Sequence, residues 1–331
     1  MRMLVTGGAG FIGANFVHQT VSQFPEYEVT VIDALTYAGD AASLAPVADK
    51  ISFVHGDITD EPLVDSLVAA NDIVVHFAAE SHNDVSIANP GIFVQTNLVG
   101  TFRILEAVRR HERRLHHVST DEVFGDLELD DPQRFSEETP YRPSSPYSAT
   151  KASADMLVRA WVRTFGIAAT ISNCSNNYGP YQHVEKFIPR QITNILSGVK
   201  PKLYGTGRNV RDWIHVDDHN SAVHMILRDG KAGETYLIGA DGELSNREAL
   251  AHILDVMGMP ADFVDFVDDR PGHDLRYAID PAKLRAELGW SPRYGSFRDG
   301  IEATVAWYAG NRAWWESKKA DAETFYRSVG R

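Results

Sequence analysis

Three glycines near the start of the chain restrict the possible folds more than any other feature. Met3-Leu4-Val5 is a short apolar run, Thr6 follows, and Gly7, Gly10 and Gly13 then recur at three-residue spacing. Behind them, Phe11, Ile12, Phe16, Val17 and Val21 fall at helical spacing. A strand, a glycine turn and a helix in that order open a βαβ unit. Gly7 suits the tight turn, Gly10 lets a pyrophosphate approach the backbone, and Gly13 lets helix and strand pack closely. The helix start then offers free N–H groups and partial positive charge to a phosphate. A plain glycine-rich βα turn is the bland alternative. The strand-to-helix context, more than the glycines themselves, argues against it.

Further strands follow at regular intervals. Val29 to Ile32 ends on Asp33, 20 residues after Gly13, where a carboxylate can accept from adenosine ribose hydroxyls. Neither Arg nor Lys occurs from Ala34 to Asp49, so a 2′-phosphate would meet an acid and no cation; NAD is favoured over NADP. Ile51 to Val54 leads to Asp57-Ile58, and Ile73 to Phe77 leads to Ala78-Ala79-Glu80-Ser81-His82, small residues that leave room for a cofactor. His82 suits a ligand-facing donor, whereas His55, His76, His116 and His117 read as structural. Val94 to Arg110 reads as a helix, Leu115 to Ser119 as a fifth strand, Tyr147 to Phe165 as a helix and Ile167 to Asn173 as a sixth strand. The alternation predicts an α/β fold, a doubly wound parallel sheet of Rossmann type. We expect an NAD-binding domain over 1–180, with parts of about 212–240 returning to it, and a smaller C-terminal substrate-binding lobe mainly over 181–331.

The chain has 331 residues and a net charge of −13, from 32 basic against 45 acidic side chains. That balance argues against a nucleic-acid or membrane surface, which shows as clustered Lys and Arg. A single cysteine, Cys174, precludes an intramolecular disulfide and reads as a small buried thiol. The N-terminus enters a strand directly, with no basic segment and long apolar run before it, and no run of about 18 apolar residues occurs anywhere. A cytoplasmic protein is expected.

The chemistry concentrates between His117 and Lys151. Tyr147 and Lys151 are four apart on the expected helix, hence on one face about 6 Å apart. The ammonium is expected to pull the phenol below its usual pKa, so that the tyrosine can take a proton from an alcohol. Tyr-x-x-x-Lys alone arises often by chance; with the glycine turn and a strand ending in Ser119-Thr120 it points to a dehydrogenase-type site. Asp121 and Glu122 go beyond that need. Two adjacent acids can be a solvated turn, or they can divide into a protonated acid and an ionised base, since like charges resist ionising together in a dry cleft.

TGGAGFIG (6 to 13), LTYAGD (35 to 40), AAESH (78 to 82), STDEVFGD (119 to 126), YSATKASAD (147 to 155), NNYGPYQ (176 to 182), RDWIHVDDH (211 to 219) and DRPGHDLRYAID (269 to 280) together resemble the dTDP-glucose 4,6-dehydratases, within the extended short-chain dehydrogenase/reductase superfamily. The resemblance spans essentially the whole chain. It implies that Tyr147 deprotonates the glucose 4-hydroxyl as hydride passes to NAD, with Thr120 bonding the 4-oxygen. Glu122 then removes the C5 proton, Asp121 protonates the departing C6 hydroxyl, and hydride returns to C6. The NAD is expected to stay tightly bound and to be regenerated in each turnover. Carried over by motif, Gly7, Gly10, Phe11, Ile12, Gly13, Asp33, Thr36, Asp57, Ile58, Ala78, Ala79, Ser81, Thr96, Tyr147, Lys151 and Asn177 would hold NAD. His82, Thr120, Asn176, Lys186, Phe187, Lys202, Tyr204, Arg211, Asn246, Arg270 and His273 would hold the nucleotide sugar. No metal is expected. A homodimer through helices near 94 to 110 and 147 to 165 is implied.

Three segments depart from the family pattern. The chain has Glu80-Ser81-His82-Asn83-Asp84-Val85-Ser86-Ile87 in place of ESHVDRSI, Phe124 in place of a tyrosine, and HVEKFIPR in place of FPEKLIPL. None touches an acid/base position. Other readings remain: a nucleotide-sugar 4-epimerase, a 4,6-dehydratase for UDP- or another NDP-hexose, and a non-catalytic NAD-binding scaffold.

Overall fold

The computed structural model describes residues 1–268 and 274–328. Seven strands form one fully parallel sheet: β1 (Arg2–Thr6), β2 (Glu28–Asp33), β3 (Ile51–His55), β4 (Ile73–His76), β5 (Arg114–Thr120), β6 (Ala169–Cys174) and β10 (Thr235–Ile238). Their order is β10-β6-β5-β4-β1-β2-β3. The chain therefore winds outward in both directions from the β1/β4 boundary, and the carboxyl ends of those two strands flank a natural crevice for a ligand.

Alternation along the strands explains the two layers that cover the sheet. Met3, Val5, Val31 and Val75 face one side, where they pack with Phe16 and Val17 of α1 (Phe11–Gln23) and with Val223 and Ile226 of α8 (Val216–Asp229). Leu4, Ile32 and Val74 face the other side, against α2 (Glu61–Ala70), α5 (Thr101–His111) and α6 (Pro146–Phe165). A period of two thus buries the strands on both faces, apart from the edge strand β3, whose residues are half-buried or exposed. Two short helices, α3 (Asn83–Ala88) and α4 (Pro90–Phe93), follow β4. The helix expected from Val94 to Arg110 is divided. Val94–Gly100 winds in wider π turns before α5 begins. The wider turn accommodates a buried polar contact: Asn97 accepts from Glu80 N at 2.8 Å and donates to Glu80 O and to Thr150 Oγ1, each at 3.0 Å.

A second layer of small sheets sits beyond the carboxyl ends of the main strands. β7 (Asn176–Tyr178), β9 (Val210–His215) and β11 (Glu243–Ser245) form one, and β8 (Lys202–Tyr204) pairs with β12 (Asp265–Val267). With α7 (Phe187–Leu196), α9 (Asn246–Val256), α10 (Ala282–Leu288), α11 (Phe297–Gly310) and α12 (Arg312–Ser328) they complete the fold. Tyr178, Ile188, Trp213, Ile253, Tyr308 and Trp315 form a separate apolar core there. Among the described residues no helix is long and apolar enough to cross a membrane.

The first turn is where packing is tightest. Gly7 has φ +69°, and a Cβ there would stand 2.6 Å from the Ala78 backbone. A Cβ at Gly13 would stand 2.3 Å from Gly7 O. Backbone on both sides leaves nothing to yield, so Gly13→Ala should cost about 1–3 kcal/mol of stability by overpacking. Urea unfolding of the cofactor-free protein measures it.

Candidate active site

The site is built where β5 and α6 meet. Ser145 caps α6 in a reciprocal capping box with Ser148, and Pro146 occupies the first helical position, where its missing N–H costs nothing. The helix start is therefore fixed, and Tyr147 and Lys151 project from its first two turns into the interior, both buried. Lys151 Nζ donates to Val118 O at 2.8 Å, tying helix to strand. Burial lowers its pKa, while the carboxylate of Asp155 on the next turn favours its charge.

Asp155 is itself held by four donors. His117 Nε2 (3.1 Å), Ser119 Oγ (2.9 Å), Tyr141 Oη (3.0 Å) and Asn173 Nδ2 (3.0 Å) all reach its carboxylate. Burial works to raise its pKa, but those hydrogen bonds, with the charges of His117 and Lys151, hold it below the usual carboxylate range. Two further histidines of the sheet are structural in the same sense: His76 pairs with Thr6 and Thr101, and His116 with Thr170 and Ser172. Cys174 is a buried free thiol, pushed up to about 12 by burial.

Asp121 and Glu122 leave β5 in a single 3₁₀ turn capped by Thr120, whose Oγ1 accepts from Glu122 N at 3.3 Å. Their environments differ. Asp121 is buried; Thr120 Oγ1 donates to its Oδ1 at 3.2 Å, and its Oδ2 has no hydrogen-bond partner among the described residues. Burial, then the charges of Glu122 and Asp212, push its pKa well above the usual carboxylate value, which favours its protonated form. Burial raises Glu122 too, but the Asn83 amide donates to its Oε2 at 3.0 Å, and Arg211 and Lys186 oppose the rise. Glu122 is the member better placed to ionise.

The expected lowering of Tyr147 by Lys151 is not what the geometry gives. Burial, and then the charge of Glu122, push the phenol well above its usual value, and only a hydrogen bond with Thr120 pulls it down. The physical reason is that the Lys151 ammonium is turned to a strand carbonyl, while the ring sits in a dry wall beside an acid.

One cavity is lined by all sixteen residues expected to hold a dinucleotide, from the Gly7–Gly13 turn through Asp33, Thr36, Asp57, Ile58, Ala78, Ala79, Ser81 and Thr96 to Tyr147, Lys151 and Asn177. Thr120 and Asp121 open into it as well. Asp33 is anchored by Ala9 N at 2.9 Å and Leu35 N at 2.8 Å. An adjoining cavity is lined by His82, Asn176, Lys186, Phe187, Tyr204, Arg211 and Asn246 of the expected sugar-nucleotide set. Ser81, Glu122, Asn176, Asn177 and Lys186 line both. Lys202 does not reach either; its backbone is paired with the Gln191 side chain in β8. Arg270 and His273 lie outside the described residues.

Several lining residues went unassigned on sequence. Arg190, Trp213 and Tyr277 face the second cavity, and Arg211 stacks on the Tyr277 ring at 4.5 Å. Trp213 and Tyr277 fall inside matched motifs, so that signal was present; Arg190 closes the HVEKFIPR segment, at a place where the family pattern has leucine. Lys318 of α12 pairs with Asp40 at 2.6 Å, a cation brought beside the Asp33 loop from far along the chain.

A parallel sheet with a glycine-turn crevice, a buried Tyr/Lys pair and a cavity for a second ligand define a dinucleotide-dependent enzyme of the short-chain dehydrogenase type. The sequence matches the GDP-mannose 4,6 dehydratase family over residues 4–304. It is 64% identical over 330 residues to a dTDP-glucose 4,6-dehydratase of Mycolicibacterium smegmatis, covering 100% of both chains. It is 49% identical to one from Streptomyces niveus, covering 98% of this chain and 97% of the other. Among solved structures, the dTDP-glucose 4,6-dehydratase of Streptomyces venezuelae with NAD bound superposes with a TM-score of 0.91 at 48% identity, covering 96% of this chain and 100% of that one. A Thermus thermophilus UDP-glucose 4-epimerase in complex with NAD gives 0.86 at 30% identity, covering 94% of this chain and 100% of that one. The chain belongs to the dTDP-glucose 4,6-dehydratase family.

A raised Asp121 makes folding take up a proton, so this group's contribution to stability falls as pH climbs from the ordinary carboxylate value towards the raised one. Asp121→Asn removes that dependence. The variant should gain on the native protein with rising pH, by up to about 1.4 kcal/mol per pH unit, in urea unfolding at pH 5 to 8.

Proposed function

We propose that this chain is a dTDP-glucose 4,6-dehydratase, converting dTDP-glucose to dTDP-4-keto-6-deoxyglucose and water with NAD as a regenerated cofactor. The observation that carries the reading is the Asp121-Glu122 pair, unequal in surroundings, with Glu122 lining both cavities and Asp121 the dinucleotide cavity. An epimerase of the same fold has work for Tyr147 and Lys151 but none for this pair. A scaffold has work for none of the four.

The residues fit NAD. The Gly7–Gly13 turn admits a backbone-hugging pyrophosphate, and the carboxylate of Asp33 suits unmodified ribose hydroxyls. When bound, NAD⁺ supplies a hydride acceptor for C4, the donor that later reduces C6, and a positive charge in the cavity that Tyr147 lines. Tyr147 takes the proton of the 4-hydroxyl, with Thr120 holding the 4-oxygen and Lys151 holding the ribose. The 4-ketone acidifies C5, and Glu122 accepts the C5 proton. Asp121, already protonated, gives its proton to the C6 oxygen as the C6–O bond breaks, and water leaves. Arg211 and Lys186 suit the diphosphate, Arg211 through its fork, and Tyr204 suits the base. His82, Asn176, Phe187 and Asn246 complete the sugar-nucleotide wall, and Arg270 and His273 are assigned to it from the motif alone.

The division of labour follows. Residues 1–180, with parts of about 212–240, bind the cofactor, and 181–331 mainly bind the sugar nucleotide. A homodimer is part of this reading: Val94, Met156 and Phe165 are exposed apolar groups on the helices at 94–110 and 147–165. So is a cytoplasmic location, in keeping with the single reduced cysteine.

In deuterated water, the product from dTDP-glucose should carry solvent deuterium at C5 and lack the C6 oxygen, by mass analysis; an epimerised hexose would overturn the reading. Turnover of UDP-glucose in parallel tests the base. Glu122→Gln should retain NAD yet lose about 10²–10⁴-fold in turnover, as for a missing general base; unimpaired turnover would remove Glu122 from its role. Met156→Glu should sediment as a monomer.

A further inference from the structure

Glu122 is anchored from outside its own turn by a residue that the established chemistry does not use. Asn83, the first residue of α3, donates from Nδ2 to Glu122 Oε2 at 3.0 Å. Its Oδ1 accepts from Ser145 Oγ at 3.0 Å. Ser145 is the cap of α6, two residues before Tyr147, and its hydroxyl also accepts from Ser148 N at 3.1 Å. The Asn83 backbone is fixed as well, because the buried Ser86 hydroxyl donates to its carbonyl at 2.7 Å. With the Ser145 hydroxyl donating to one end of the amide, the other end can only present N–H to the carboxylate.

We propose that Asn83 is a positioning residue for Glu122, aiming its carboxylate into the substrate cavity and tying it to the helix cap that places Tyr147. The proposal rests on reading Glu122 as the C5 base. No hydrogen bond from a described residue reaches Oε1 of Glu122. Asn83 thus occupies one oxygen and leaves the other to take the proton. The family pattern has valine at this place, which can make neither bond. Asn83 thus braces the two proposed proton acceptors, one on the turn after β5 and one on α6.

The brace also acts on charge. A donor to a carboxylate favours the ionised form. The other groups facing Glu122 are Asp121 on its own turn, Tyr147 on α6, Lys186 at the start of α7, Arg211 on β9, and Asp274 and Tyr277 beyond β12. Removing the Asn83 donor leaves burial and Asp274 to raise Glu122 against Arg211 and Lys186 alone. The base then becomes ionised only at higher pH.

The test is the pH profile of turnover of dTDP-glucose by the holoenzyme, with deuterium entry at C5 read in parallel. Asn83→Val should move the acidic limb up by about one pH unit and slow C5 exchange about tenfold below that limb. The near-isosteric Asn83→Asp, which sets a carboxylate against Glu122, should move the limb further. Asn83→Gln, which retains the donor, should return the limb towards its native position. An acidic limb that stays in place in both Asn83→Val and Asn83→Asp overturns the proposal, even if turnover falls, because a merely structural role would slow turnover without moving it. Should Asn83→Val fail to fold, Asn83→Asp alone carries the test. Glu122→Gln, run alongside, separates the two levels. If that variant is inactive while the Asn83 variants keep their limb, only the Asn83 proposal fails; if it turns over normally, both fail.

Discussion

Two carboxyl groups on neighbouring residues of a dry turn cannot both ionise cheaply, and the site depends on how the protein resolves that conflict. Asp121 points into the interior, beside Asp212 and with one oxygen unpartnered, whereas Glu122 meets the Asn83 amide and faces Arg211 and Lys186. The repulsion that would destabilise two anions favours keeping one proton on the pair, and the surroundings decide which group keeps it. In the proposed mechanism one β-strand end thereby supplies both an acid and a base. Because the pair behaves as a unit, its proton belongs to the couple and its placement to the surroundings.

The fold supplies those surroundings. β5 ends where α6 begins its inward face, and both lie at the carboxyl edge of the sheet, next to the β1/β4 boundary from which the chain winds outward. The cofactor crevice is set by backbone contacts at Gly7 and Gly13 that no side chain could occupy. The small sheets beyond that edge close a second cavity over Glu122. Charges buried beneath the site are balanced nearby: Lys151 and Asp155 stand one turn apart on α6, and Asp155 takes four hydrogen bonds. That network fixes the helix against β5 and β6, so the first-turn tyrosine has one position.

The layered sheet was legible because its signals are local. Apolar runs ending in Asp33, Asp57 and Ser119-Thr120 mark strands whose carboxyl ends line a crevice, and the glycine spacing marks the turn that starts it. The residues of that crevice come from strand ends, so motif order predicts their convergence. The substrate side was less legible because loops and short strands assemble it from distant segments. Lys202 carries a suitable charge but lines neither cavity, its backbone tied to Gln191, while Lys318 arrives from a helix with no motif. The phenol of Tyr147 shows a different limit. Four-residue spacing places an ammonium near it, yet only the three-dimensional arrangement reveals that this ammonium bonds Val118 O and that burial governs the ring. The π turns at Val94–Gly100 follow the same rule, set by Asn97 and its partners in Glu80 and Thr150.

In the proposed mechanism Asp121 is a neutral acid while Glu122 is available as an anion. Infrared difference spectroscopy of the holoenzyme at neutral pH, in the carbonyl-stretch region of protonated carboxyls, tests it most directly. A protonated-carboxyl band that vanishes in Asp121→Asn and persists in Glu122→Gln is the predicted result. A band that vanishes in Glu122→Gln and persists in Asp121→Asn would contradict the assignment.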